Sequence, residues 1–401
     1  MYLGSAIVGK ALPFFMLPIV TSLVPQDQVG AASLLMLYWS ISNALVGGNG
    51  HSYLSRRYFE LHPHDVSRLL SNVLAVNALL CSALTVFFLF IWLVFSETAM
   101  PFGGYLLFLP FGSFLQAGVA IVSTLARFEQ RPFRFMFYEI GFAVASTAGV
   151  ILYIRYIDTD WGYQFWSIAV AVIAMFSLGF LPERRFQMSE LSRREALSFL
   201  QFSMPQIIHV MSGIALSIGD RYLIGEILSN QILGVYAATY MLCSSFNVMI
   251  DAYVRSYTPT QFKLINEQGI CNMAGRILLA RSAGVLFLTS VLFSVLLWLS
   301  FSMIYPPEYI AGRPLVPMFI AGFLFFGIYK LLNPFILALR LQNRLVVVLV
   351  TTAVISLALD YLLLEDWGIL IAGLVTMGSY LVLAAASLAI YLQGLNRDSN
   401  H

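Results

Sequence analysis

Charge is scarce in this 401-residue chain: Asp, Glu, Lys and Arg make up 10% of it, against 59% hydrophobic residues. Ordinary soluble domains carry about 25% charged residues, and a water-soluble fold of this length could not hide so much apolar surface. Cysteine is almost missing as well. Cys81, Cys243 and Cys271 are scattered with no CxxC pair, which argues against a disulfide framework or a metal knuckle. Enzyme signatures are lacking: there is no G-x-S-x-G, no P-loop, no H-E-x-x-H and no stretch long enough for a soluble catalytic domain. Asp158 and Asp160 form a D-x-D with no donor-binding domain beside it, and His51, His62 and His64 read as a solvated loop. No basic n-region or small-residue cleavage site opens the chain, so its first apolar run reads as a retained span. The expectation is a non-enzyme with no cofactor and no nucleic-acid partner.

What is present in quantity is long apolar runs. A spanning helix needs about 20 apolar residues to cross about 30 Å of hydrocarbon, and in lipid only helices or closed barrels satisfy their own backbone. These runs are too continuous for the alternating strands of a barrel. Twelve spans are expected: Leu3–Leu23, Val29–Gly48, Leu69–Phe95, Tyr105–Leu125, Phe137–Ile154, Trp161–Leu181, Leu200–Tyr222, Ile232–Val254, Ile277–Leu299, Pro314–Pro334, Leu345–Leu364 and Ile369–Gln393. The class is an all-α polytopic membrane protein.

The arginines orient it. One set of loops holds Arg56, Arg57 and Arg68, then Arg127, Arg131 and Arg134, then Arg184, Arg185, Arg193 and Arg194. The same side continues with Arg255, Lys263, Arg276 and Arg281, Arg340 and Arg344, and the tail's Arg397, whereas the alternate loops hold only Arg155, Arg221 and Arg313. The positive-inside rule then places both termini in the cytoplasm. The two halves also look alike. Asp27–Leu37 resembles Asn230–Leu242 with Gly30 matching Gly234, a shift of 204 residues, and Asp160-Trp161-Gly162 recurs as Asp366-Trp367-Gly368, a shift of 206. An even number of spans per half makes this a parallel repeat. The expected organisation is a six-helix bundle over 1–181, a cytoplasmic connecting loop over 182–199 and a second six-helix bundle over 200–401.

Charges inside spans cost about 2.5–3.5 kcal/mol each on insertion scales, so they normally face a partner or a wet cavity. Lys10 is either a snorkelling anchor or a cavity cation, with Pro13 and Pro18 bending the helix beyond it. Lys330, four residues before Pro334, carries the same two readings. His209, four residues after Pro205, either faces the carbonyl that this proline frees or contacts a proton or substrate. Asp220 and Arg221 pair at an interface or belong to a site. Asp251 has Arg255 one turn away for an i,i+4 pair, with a coupling-ion role as the alternative, and Asp360 is a second coupling candidate. Glu139 reads as interfacial.

Several segments resemble the bacterial O-antigen and polysaccharide flippases. Pro13 and Pro18 in the first span, Gly30 after a short turn, and Arg56, Arg57, Tyr58 and Glu60 are similar to that family's opening. Ser203-Met204-Pro205, Gly219-Asp220-Arg221 and Leu233-Gly234-Val235-Tyr236 are similar to its seventh and eighth spans, and Pro306, Glu308 and Tyr309 fit before the tenth. The resemblance implies a MATE-like fold of two six-helix bundles. It also implies alternating-access movement of an undecaprenyl-pyrophosphate-linked oligosaccharide repeat unit, for O-antigen or another surface polysaccharide, from the cytoplasmic to the periplasmic leaflet of the inner membrane. Lys10, Asp220, Arg221, Lys330 and Arg127 would then be substrate contacts, with H+ or Na+ coupling left open. Membrane lipid, a polysaccharide polymerase and a chain-length regulator would be its partners. The alternatives are an ion-coupled drug or cation antiporter of the same fold, a peptidoglycan lipid-precursor flippase, and a membrane-embedded polymerase or acyltransferase.

Overall fold

The computed structural model describes residues 2–60, 63–95, 102–180, 191–269 and 273–398. Helices account for nearly all of them, and no strand occurs among the described residues. In the first half these are α1 (Tyr2–Leu23), α2 (Gln26–Gly47), α3 (Gly50–Arg57), α4 (Pro63–Phe95), α5 (Phe108–Phe128), α6 (Pro132–Tyr156) and α7 (Gly162–Met175). The second half holds α8 (Arg193–Ile218), α9 (Asp220–Ile227), α10 (Asn230–Gln268), α11 (Met273–Ile304), α12 (Leu315–Ala338) and α13 (Gln342–Asp398).

Ten of the described helical segments are long and apolar enough to cross a membrane. One of them, Gln342–Leu395, runs 54 residues and divides at Gly368, whose φ of 61° leaves the helical region. Only glycine takes that conformation cheaply, so Asp-Trp-Gly in the second half marks the turn between two spans. Large apolar side chains such as Phe90, Leu288 and Leu362 are exposed, as lipid-facing helices require.

Tertiary contacts divide the chain into two compact units, residues 1–13 with 32–214, and residues 14–31 with 215–401. The first unit has a core of Tyr53, Leu70, Ile121 and Phe199 and a second one around Val122, Phe135 and Tyr138. The second unit buries Phe246, Phe301, Phe319, Phe323 and Phe335. It also contains the end of α1 and the start of α2. There Gly30 and Gly234 face each other: a Cβ on Gly30 would strike the carbonyl of Asn230, and one on Gly234 that of Gln26. The matched glycines of the sequence repeat are thus the two sides of a single helix crossing.

The repeat is legible in the turns too. After α5, Gln130 is left-handed (φ 55°), with Glu129 N–H donating to Leu125 O at 2.9 Å and Arg131 N–H to Ala126 O at 2.9 Å. After α12, Arg340 is left-handed (φ 57°), with Leu339 N–H donating to Phe335 O at 2.9 Å and Leu341 N–H to Ile336 O at 3.0 Å. Both close their helix with the same 6→1 bond. One element breaks the correspondence. The matching glycines put α2 opposite the start of α10, yet α10 continues unbroken to Gln268, while the other helix stops at Gly48 (φ 51°) and Asn49 (φ 56°) before α3 begins.

Candidate functional site

The second unit holds a buried polar cluster built from three elements. Asp220 opens α9, separated from the end of α8 at Ile218 by Gly219 alone, which keeps helical backbone angles (φ −69°, ψ −30°), so the expected span runs on through the acidic residue to Tyr222. Its carboxylate accepts a short hydrogen bond from the Tyr236 hydroxyl of α10, while the Thr376 hydroxyl of α13 donates to it at 3.4 Å. Tyr236 and Thr376 are themselves 3.2 Å apart. Asp360, on the preceding part of α13, is 1% exposed. Neither of its oxygens, nor Oδ1 of Asp220, finds a hydrogen-bond partner among the described residues. The two carboxylates are near enough to act on each other electrostatically. Ionising both acids in this apolar setting is costly, and the cation that acts on the pair from within the unit is Arg221, next to Asp220.

Beside this pair, Arg221 lies over the Tyr240 ring at 5.4 Å, and Tyr240 is hydrogen-bonded to Tyr380 at 3.5 Å. Asp220 and Arg221 are therefore an interior pair of groups, and the surface ion pair considered for them gives way to Tyr236 and Thr376 on one side and an aromatic face on the other. Lys330 donates to Asp251 at 2.6 Å and to Asn247 at 2.9 Å and lies 4.1 Å from the Phe326 ring centre. The partner observed for Asp251 comes from α12, where the sequence suggested Arg255. Two residues expected in separate roles, one contacting substrate and one coupling an ion, thus form one pair.

The first unit holds a cavity of about 400 Å³. Its walls are α2, the break at Gly48–Asn49, the first turn of α3, the middle of α5, and Val210 and Ile214 of α8. Trp39 and small aliphatic side chains make the apolar faces, and Ser40, Asn43, Asn49, His51 and Gln116 supply polarity. His51, expected in a solvated loop, is the second residue of α3 and faces this space. The Arg127 charge acts on His51, but the guanidinium itself is exposed and lies 5.3 Å from the Phe128 ring. His209 belongs to the same unit without lining the cavity, and its Nδ1 finds no partner among the described residues, so the expected bond to a proline-freed carbonyl is not made there. The side chain of Lys10 lies outside the described residues, as do residues 181–190 of the connecting loop.

Among the described residues no three His, Cys, Asp or Glu side chains form a metal-holding group. Asp160 of the D-x-D caps its own turn, accepting from Tyr153 Oη at 2.6 Å and Gly162 N at 2.9 Å.

No protein-family model and no curated protein matches the sequence. Solved structures do match in shape. An inward-facing multidrug resistance MATE family transporter of the MOP superfamily aligns over 98% of each chain with a TM-score of 0.71 at 12% identity. The lipid II flippase MurJ, in an inward closed conformation, aligns over 98% of this chain and 86% of its own with a TM-score of 0.72 at 13% identity. A MOP superfamily transporter from Pyrococcus furiosus, described as having a binding pocket of reversed polarity, gives 0.63 at 14% identity over 99% of this chain and 94% of its own.

The chain has the MATE fold.

It is a multi-pass membrane protein whose structural neighbours are transporters and flippases. Within that fold the sequence located Asp220, Asp251, Lys330 and Asp360, because a charge in an apolar run stands out. It named Tyr236 only as part of a resembling segment and missed Thr376, both of types unremarkable in a membrane helix, and it missed the cavity. The only local signal for that space was Gly47-Gly48-Asn49-Gly50, a run of turn-forming residues at the end of an apolar span.

Proposed function

We propose that the protein is an ion-coupled flippase. It moves an undecaprenyl-pyrophosphate-linked oligosaccharide repeat unit from the cytoplasmic to the periplasmic leaflet of a bacterial inner membrane by alternating access between two six-helix bundles, with both termini in the cytoplasm. The observation that carries coupled transport is the pair of buried carboxylates, Asp220 held through one oxygen by Tyr236 and Thr376, and Asp360 with neither oxygen hydrogen-bonded among the described residues. Loading with H+ or Na+ neutralises the pair, and release leaves like charges facing each other, so the ion biases which conformation the protein holds. No counterpart exists in the first half, where the repeat places Met16 and Ile154 opposite Asp220 and Asp360.

A lipid-linked sugar as cargo is supported by the flippase resemblance in sequence and by the shared fold with the lipid II flippase. Lys10 and Arg127, both toward the cytoplasmic side, remain the proposed contacts for pyrophosphate. Lys330 and Arg221 are less available, the first held by Asp251 and the second by Tyr240. The antiporter reading has an observation in its favour, the same carboxylate pair, but the first unit's cavity offers an organic cation no carboxylate among its lining residues. A polymerase and a chain-length regulator are the proposed partners after translocation.

The test is a deletion strain. The expected result is accumulation of undecaprenyl-linked single repeat units in the inner membrane, reversed by the wild-type chain and not by Asp360→Asn at equal expression. Polymer length lost without accumulation of single units on the cytoplasmic face would point to a polymerase.

A further inference from the structure

At the first unit's cavity the two repeats differ in backbone. α10 crosses its unit as one continuous helix, whereas the corresponding helix is interrupted by two successive left-handed residues, Gly48 (φ 51°) and Asn49 (φ 56°). A non-glycine residue in that conformation is held there by its surroundings. The intact α10 indicates that the fold does not require the break. Its local effect is to end α2 early, turn the first residues of α3 toward the cavity, and leave the Asn49 side chain with no capping bond.

Asn77 of α4 stands directly behind this break. It is 0% exposed, and neither its Nδ2 nor its Oδ1 has a hydrogen-bond partner among the described residues. A methyl group on Gly50, a cavity-lining residue, would stand 3.7 Å from Asn77 Nδ2. Across the cavity Gln116 leaves its Oε1 buried and unpartnered as well. A buried amide atom with no partner costs about 1–3 kcal/mol, so Gln116 Oε1, on the cavity wall, marks a place where a ligand can supply the missing bond.

The chemistry of the walls selects the ligand. The lining side chains carry no carboxylate, lysine or arginine, so neither an organic cation nor a bare phosphate finds its counter-charge. Asn43, Asn49 and Gln116 each offer donor and acceptor together, which matches vicinal hydroxyl and acetamido groups. Trp39, Ala117, Ile121 and Ile214 give the apolar surface that the C–H face of a pyranose covers. A volume of about 400 Å³ falls in the range of small-molecule sites, about 300–1,000 Å³.

We infer that this cavity is a sugar-recognition subsite for an uncharged, hydroxyl- and acetamido-bearing pyranose, with Asn43, Asn49 and Gln116 as its specificity-determining residues. The inference rests on the flippase reading and sharpens it. The residue next to the pyrophosphate is read by neutral amides in the first unit, apart from the ion site in the second, and acidic sugars are disfavoured. With the basic loops in the cytoplasm, the break lies at the inner boundary of its span, where such a head group enters.

The full-length protein in lipid nanodiscs is examined by saturation-transfer difference NMR with four probes: methyl N-acetyl-β-glucosaminide, methyl β-glucuronide, inorganic pyrophosphate and tetraphenylphosphonium. The neutral glycoside is expected to give a saturable signal that the glucuronide competes for poorly. Gln116→Ala and Asn43→Ala should each weaken it about tenfold, the equivalent of 1.4 kcal/mol. Asn49→Gly, which keeps the left-handed turn and removes the amide, should do the same with an unchanged melting temperature. No saturable sugar signal, or one indifferent to these variants, overturns the inference. So does binding of pyrophosphate or tetraphenylphosphonium that these variants abolish, since that makes the cavity an ion site. If repeat units fail to accumulate in the deletion strain while sugar binding depends on these amides, the subsite stands and the flippase reading falls. If flipping holds without amide-dependent sugar binding, only the subsite is lost.

Discussion

At the scale of single residues the protein separates charge that is balanced from charge that is not. Lys330 and Asp251 balance each other at 2.6 Å, with 17% and 31% of their side chains exposed. Removing one member leaves the other stranded, which for fully buried pairs costs about 3–5 kcal/mol and here, with partial exposure, about 2 kcal/mol. Lys330→Met is therefore expected to lower the melting temperature in detergent, and the double variant Lys330→Met with Asp251→Leu to recover most of it. A double variant as unstable as the sum of the singles would dissolve the pair. Asp360 shows the opposite situation, a buried carboxylate without a hydrogen-bond partner among the described residues. Asp360→Leu, which removes the unpartnered polar atoms, should raise stability by about 1–3 kcal/mol while transport falls at least tenfold, as residues kept for function often do. Sequence reasoning reached these positions because ionisable residues in apolar runs are visible by type. It gave Tyr236 and Thr376 no role at the site, since a tyrosine and a threonine in a membrane helix become informative only when Asp220 is seen to accept from both.

At the scale of elements, backbone approach is what the sequence carried most faintly and the structure shows most sharply. Gly30 and Gly234 were legible as matched positions of a repeat. That they meet each other was not, because a repeat gives equivalence and not adjacency. A Cβ at either position collides with a carbonyl, and backbone cannot yield as a side chain can. Gly30→Ala and Gly234→Ala should each destabilise the protein by about 1–3 kcal/mol, read as a lower melting temperature. Gly284→Ala in α11 has nothing within 4 Å of the added methyl and should be neutral or stabilising by up to about 1 kcal/mol. Equal effects at all three positions would mean that the crossing does not depend on glycine. The helix ends were partly readable. The left-handed turns at Gln130 and Arg340 carry no glycine to announce them, so their common 6→1 closure appears only in the hydrogen bonds. Gly368, inside Asp-Trp-Gly, was readable both as turn chemistry and as a repeat.

At the scale of the whole molecule, composition and run length established an all-helical membrane protein, and two short matches at shifts of 204 and 206 residues suggested two related halves. What they could not disclose is how unlike the halves have become. The second unit keeps its eighth-span helix whole and holds two buried carboxylates, of which Asp360 has no hydrogen-bond partner among the described residues. The first breaks the corresponding helix and builds a neutral, amide-lined cavity. On this account the ion is handled in one unit and the sugar in the other, and transport is their coupling. The most direct test uses purified protein in liposomes that carry an undecaprenyl-pyrophosphate-linked N-acetylated sugar, with transbilayer movement followed by access of an external sugar-modifying probe under an imposed H+ or Na+ gradient. The account predicts gradient-dependent movement by the wild-type chain, and movement by Asp220→Asn reduced at least tenfold and no longer responsive to the gradient. Lipid-linked sugar that stays in its leaflet while the same liposomes exchange an organic cation against the ion would contradict it.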